Sequence, residues 1–202
     1  MGRYILAILM YVLPCAFIVA DEGWSPVKDP SDIIARFHQA NSRVRSIECR
    51  FRQEKVVDVL ADTAESYGIY RYFAPDSMVV EYVSPERYAI IISGDRLKIV
   101  SPDRTTERAL SSDRRLASLS ELMRSGGIPS GGTAGYEVEG YENPDCYRLV
   151  IHPRAGAGNT VEVIIDRKDL SLDSFRIREG GSDYTEFVFT DKKILASPPV
   201  DE

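Results

Sequence analysis

The chain opens on an uncharged run, Tyr4 to Ala20, behind a single Arg3 and directly ahead of Asp21-Glu22. The run is short for a membrane span and has the charge layout of an export signal, so residues 1–20 are expected to be a signal peptide cut after Ala20. A retained anchor is the alternative. Val12-Leu13-Pro14-Cys15 has the outline of a lipoprotein cleavage site, but Pro14 suits it badly. After a Pro/Gly/Asp leader over 21–30, Ser31 stands as an N-cap. Ile33, Ile34, Phe37 and Val44 then recur near the helical period, which predicts an amphipathic helix over 31–44.

From Ile47 the period changes to two. Ile47, Cys49 and Phe51 alternate with Glu48, Arg50, Arg52 and Glu54. Alternation then resumes over Tyr67 to Phe73, Met78 to Val83, Tyr88 to Ser93 and Leu97 to Val100. Ala74-Pro75-Asp76, Ser84-Pro85-Glu86, Ser93-Gly94-Asp95 and Ser101-Pro102-Asp103 supply turns between these runs. Connections so short predict an antiparallel meander. Residues 103–115 are rich in Arg, Asp and Ser and carry no strand signal. Leu116, Leu119, Leu122 and Met123 then sit at helical spacing ahead of the glycine-rich run 126–132, which reads as a short cover on a flexible strap. Strands resume over Tyr136 to Tyr141, Cys146 to His152, Thr160 to Asp166, Ser174 to Glu179 and Tyr184 to Thr190, before a Pro198-Pro199 tail. No repeat or long linker divides the chain, so 21–202 is expected to be one domain.

Charge narrows the possible partners. The 202 residues hold 25 Lys and Arg against 31 Asp and Glu. Loss of residues 1–20 removes Arg3 alone and leaves 24 against 31, a net −7. Such a surface has no basic surplus for nucleic acid. Two histidines leave little for a histidine-rich metal site, and no cofactor is implied. His38 and His152 lie near no nucleophile elbow, and Glu81, Glu86 and Asp95 read as solvated carboxylates. The chain is therefore not expected to be an enzyme. Cys49 is expected to face inward beside Ile47 and Phe51. Cys146 is expected to face outward, opposite to Tyr147, Leu149 and Ile151, and this facing argues against a disulfide between them.

The apolar content of the meander stands out. Phe51, Tyr70, Tyr72, Met78, Val80, Tyr82, Ile90, Ile92, Leu97 and Ile99 are expected to share the inner face. A solid core is the plain reading of such a stripe. Two small helices over a wide sheet could instead leave a cavity, lined by these residues and closed by Leu116, Leu119, Leu122 and Met123. Methionine there would suit a flexible ligand.

The helix that runs into Val44–Gln53, with phenylalanine, one residue, then glutamine (Phe51, Gln53), resembles the opening of the LolA family of outer-membrane lipoprotein carriers. Gly68-Ile69-Tyr70-Arg71-Tyr72-Phe73-Ala74-Pro75, the strand Met78–Val83 with Ser84-Pro85, and the turn Ser93-Gly94-Asp95-Arg96-Leu97 are similar to its following strands. The resemblance implies a mainly β (α+β) fold, an open or half-closed antiparallel β-barrel covered by an N-terminal helix and a short helical lid. It implies a periplasmic, monomeric carrier that binds the acyl chains of lipoproteins. Such a carrier takes its cargo from an inner-membrane LolCDE-type ABC exporter and passes it to an outer-membrane, LolB-like acceptor. Two places depart from the family. Ala74 stands where well-studied members have an arginine that latches the lid, and Val79 where many have another. A LolA-like half-barrel for another lipid, an envelope sensor like the RseB-like regulators, and a solid interaction module are the alternatives.

Overall fold

The computed structural model describes residues 23–57, 62–128, 135–154 and 159–197. The expected signal segment, residues 129–132 of the glycine-rich run and the Pro198-Pro199 tail lie outside them. Among the described residues there are twelve strands: β1 (Ser25–Pro26), β2 (Val44–Val57), β3 (Asp62–Phe73), β4 (Ser77–Ser84), β5 (Tyr88–Ser93), β6 (Arg96–Val100), β7 (Thr105–Ala109), β8 (Tyr136–Glu142), β9 (Cys146–Pro153), β10 (Thr160–Asp166), β11 (Leu172–Gly180) and β12 (Asp183–Ala196). They form one antiparallel sheet in the order β1-β8-β9-β10-β11-β12-β2-β3-β4-β5-β6-β7. Two meanders, β2 to β7 and β8 to β12, are thus joined where the long strands β2 and β12 pair. The sheet curves but does not close, and β7 and β1 remain its two edges.

Two helices interrupt the strands. Helix α1 spans Ser31–Asn41 and buries Ile33, Ile34 and Phe37. It stops three residues before the expected end, and Val44 opens β2 instead. Ser31 is the first helical residue, not the cap: Asp29 Oδ1 accepts its N–H at 2.9 Å, and that bond lowers the Asp29 pKa. Helix α2 (Arg114–Arg124) is preceded by a 3-10 turn over Leu110–Ser112. This connection carries the chain from edge strand β7 to β8, at the other side of the sheet. Helix α2 lies on the concave face, where Met123 and Ser120 are buried with the strands. Strand β7 is a correction to the sequence reading. Thr105–Ala109 carries almost no apolar signal because it is an exposed edge strand, held by pairing with β6.

The core lies inside the curve. Phe51, Phe175, Phe187 and Phe189 meet across β2, β11 and β12, with Phe175 and Phe187 stacked at 5.0 Å and Phe51 and Phe187 at 5.8 Å. Leu97, Met78, Leu149, Ile151, Val163 and Ile165 complete it. Cys49 and Cys146 are free, with Cys49 buried and Cys146 half-buried. Tyr147, Leu149 and Ile151 face inward, opposite to Cys146. Among the described residues no helix is long and apolar enough to cross a membrane.

Candidate functional site

Helix α2 is built to lie on an apolar surface. Leu116, Leu119, Ser120 and Met123 recur at one face, and the Asp113 carboxylate accepts the Leu116 N–H at 3.1 Å as an N-cap. Asp113 also takes Arg108 Nη2 at 2.6 Å. The preceding turn is pinned by Asp95, whose carboxylate accepts both the N–H and the hydroxyl of Ser111 and whose carbonyl accepts the Leu110 N–H. Asp95 is exposed, as expected of a solvated carboxylate, and it also anchors this turn. Glu81 is likewise engaged, accepting from Arg71 Nη1 at 2.9 Å.

The C-terminal end of α2 is equally fixed. Gly126 takes φ +64°, and the Gly127 N–H reaches back to the Leu122 carbonyl at 2.7 Å, a Schellman closure. A Cβ on Gly126 would lie 2.4 Å from the Phe37 ring, and one on Gly127 would lie 2.8 Å from Val163. The start of the glycine-rich run is thus a close-packed cap, which corrects the expected flexible strap over 126–128. Ile128 is buried beyond it. Helix α2 is held by Arg108–Asp113 at one end and by the Gly126 cap at the other.

Voids lie on both sides of α2. One is a cavity of about 70 Å³ walled by Phe37, Cys49, Tyr70, Tyr72, Met123 and Phe189, with Arg124 and Lys192 at its polar side. The Lys192 ammonium is already held by Ser171 Oγ, the Leu172 carbonyl and Asp173. Burial pushes the Cys49 thiol up to about 12 and raises Tyr70 as well. The second void is an open groove of about 710 Å³ between α2 and the sheet. Strand register explains its floor. Val161, Ile177, Thr185 and Lys55 form one inward row across β10, β11, β12 and β2, and Val163, Phe175, Phe187 and Gln53 form the next. Leu119 and Leu122 form the opposite wall, Tyr82 adds to the lining beside Gln53, and Arg114, Lys55 and Glu179 stand at the rim. Tyr82 donates to Gln53 Oε1 at 2.6 Å and stacks on Tyr88 at 4.3 Å.

The expected inner-face residues do face inward. Phe51, Tyr70, Met78, Val80, Tyr82, Ile92 and Leu97 are buried, and Tyr72, Ile90 and Ile99 are half-buried against the same core. They divide, however, by position relative to α2. Tyr82 lines the groove, Tyr70 and Tyr72 line the small cavity, and the other seven line neither. Of the expected cover, Leu119 and Leu122 face the groove, Met123 faces the cavity, and Leu116 packs on the core. Sequence reasoning missed Val161, Ile177 and Phe187, although their alternation is as regular as that of the first meander. It shows which face is apolar, not which part of that face the cover leaves open.

Chemically, this arrangement offers burial and a polar rim. Among the described residues no group of three or more His, Cys, Asp or Glu side chains could hold a metal ion. His152 Nδ1 lies 3.2 Å from Thr160 Oγ1, and His38 packs edge-on to Phe37.

No protein-family model matches the sequence, and no curated protein is recognisably similar to it. Solved structures do share the fold. The Pseudomonas aeruginosa MucA/MucB complex matches at TM-score 0.52 and 17% identity over 85% of this chain and 59% of that one. MucB in complex with MucA(peri) matches at 0.50 and 16%, over 85% and 57%. This chain therefore spans less than two thirds of the MucB chains it matches. An uncharacterised conserved protein from Thermus thermophilus matches at 0.53 and 11% identity, over 84% of this chain and 90% of that one. At these identities the likeness shows architecture alone. The open antiparallel half-barrel with two helices inside its curve is the architecture that the resemblance to LolA implied.

Proposed function

We propose that this chain is an exported carrier that shelters acyl chains on its concave face, with α2 as a displaceable plug and no catalytic role. One observation carries the reading: an amphipathic helix lies across the curve between a groove of about 710 Å³ and a cavity of about 70 Å³. The groove falls within the roughly 300–1,000 Å³ usual for ligand sites, and the cavity is far below it. Moving α2 aside would join them into one trough from the Gln53 and Lys55 rim to the Tyr70 and Tyr72 wall.

The energetics suit reversible loading. Sheltering an acyl chain is worth about 0.8 kcal/mol per methylene, so ten methylenes come to roughly 8 kcal/mol. A carrier that kept all of this would never release its cargo. Here Leu119, Leu122 and Met123 occupy the trough in the free state, so a ligand replaces one apolar partner with another and the net gain stays small. Acylated lipoproteins are the proposed cargo. A LolCDE-type exporter and a LolB-like acceptor are the proposed partners in the periplasm.

Native mass spectrometry of protein isolated from its host tests the reading. Co-purifying acyl masses, displaced by a fluorescent fatty acid, are expected. A ligand-free protein that takes up no fatty acid would overturn it. A second reading is favoured by the MucB structure solved with MucA(peri), namely that the half-barrel receives a protein segment. A co-purifying peptide mass without acyl mass would select it.

A further inference from the structure

Five large apolar side chains are exposed among the described residues, and three of them meet at one end of the sheet: Phe73 at 50%, Ile194 at 40% and Leu195 at 64%. Register places them together. Ser46 of β2 pairs with Phe73 of β3 on one side and Leu195 of β12 on the other, so the two large side chains flank a small one on the outer face. Ile194 pairs with Ile47 on the inner face of the same strand ends. The result is a notch of about 370 Å³. Its residues Ile47 and Ile194 also line the small cavity beneath α1 and α2, so apolar surface runs from the exposed tip into the interior.

Three basic side chains, Arg43, Arg45 and Lys193, border this tip, alongside Glu48 and, in the turn after Phe73, Asp76. Arg43 and Arg45 lie at the start of β2, where their carbonyls accept the Ser197 and Ala74 N–H groups, beside Leu195 and Phe73. Arg45 Nε donates to the Ser197 hydroxyl and not to a carboxylate. Lys193, with its side chain 79% exposed, stands on the outer face next to the notch. The carboxylate that lines the notch, Glu48, is shared by Arg71 at 3.1 Å and Lys193 at 3.3 Å.

We propose that this end docks on an anionic lipid bilayer, with Phe73, Ile194 and Leu195 entering the interface and Arg43, Arg45 and Lys193 meeting headgroup phosphates. Size favours a membrane over a protein. Three side-chain tips fall well short of the roughly 800 Å² that a stable protein interface buries per partner, whereas a peripheral contact with a bilayer needs only apolar tips and a basic girdle. Docking does not require an occupied groove, so the two proposals stand or fall separately.

Co-sedimentation of the mature exported chain with vesicles tests the inference, using phosphatidylcholine alone or with phosphatidylglycerol. Binding is expected to the mixed vesicles and to weaken with salt. Arg45→Gln is expected to lower the partition coefficient about fivefold. The double change Phe73→Ser with Leu195→Ser is expected to lower it at least tenfold with unchanged circular dichroism. Val83→Ser, an exposed apolar residue at the far end of β4, is expected to change nothing. Failure to bind either vesicle, equal binding to both, or insensitivity to the Phe73 and Leu195 changes would overturn the proposal. So would a chain that self-associates through this end, seen as a dimer in sedimentation that the double variant abolishes.

Discussion

Ser120, on the buried side of α2, donates its hydroxyl to the sulfur of Met78 on β4 at 3.5 Å, and each residue is only 1% exposed. A thioether is a weak acceptor, so burial contributes more than the bond to holding the helix on the sheet. Met78→Ala is expected to cost about 2–5 kcal/mol through the cavity it leaves. Ser120→Ala is expected to cost less than about 1 kcal/mol. Urea unfolding of the two variants checks this, and equal losses would show that the tether and not the packing fixes α2.

The two sides of the plug predict different phenotypes. Leu119 is half-buried over the open groove, while Met123 is 6% exposed against the smaller cavity. Leu119→Asp is expected to lower the retention of a fluorescent fatty acid with a modest loss of melting temperature. Met123→Asp is expected to impair both severely, because it buries a carboxylate without a partner. Unchanged retention and melting in Leu119→Asp would count against α2 as the cover.

Gly68 tolerates no side chain. Its cross-strand partner Phe51 lays its ring over the glycine, and an added Cβ would stand 2.5 Å from that ring and 2.1 Å from the Glu81 carbonyl oxygen. The backbone contact cannot be relieved by a rotamer change. Gly68→Ala is therefore expected to destabilise the fold by roughly 1–3 kcal/mol or more, read as a lower denaturation midpoint. Replacing Phe51 by Leu in the same variant should recover little of the loss, since the Glu81 clash remains.

Cys49 predicts a specific alkaline weakness. Burial raises its thiol from 9.0 to about 12 in the folded chain. Its contribution is fully present below pH 9. Above that, the unfolded state ionises while the folded state does not, so stability falls as pH rises towards 12, by on the order of a few kcal/mol. Cys49→Ala should flatten this limb of the stability profile. In the native protein at pH 8, iodoacetamide should reach half-buried Cys146 slowly and Cys49 hardly at all, and denaturation should expose both. Fast labelling of Cys49 would show that its strand faces solvent.

Much of this was legible in the chain itself. Strict alternation places Met78, Val80 and Tyr82 inward, and the Pro- and Gly-bearing turns mark the hairpins from β3 to β6. What alternation does not reveal is strand order. The pairing of β12 with β2 and the seating of α2 on the concave face depend on contacts between distant segments. For that reason Val161, Ile177 and Phe187 do not stand out in the sequence as groove floor. Strand β7 escaped because an edge strand such as Thr105–Ala109 buries little. The anchoring role of Asp95 escaped because a turn carboxylate that organises Ser111 looks in sequence like any solvated acid.

The unjoined edges β7 and β1 have one more consequence. A hydrogen-bonded ring admits a guest only through its ends, so a fatty tail attached to a folded protein would have to be threaded in before its bulky head. A sheet left open along one side needs no threading. In the proposed carrier role, a tail would enter and leave sideways while its folded head stays in water.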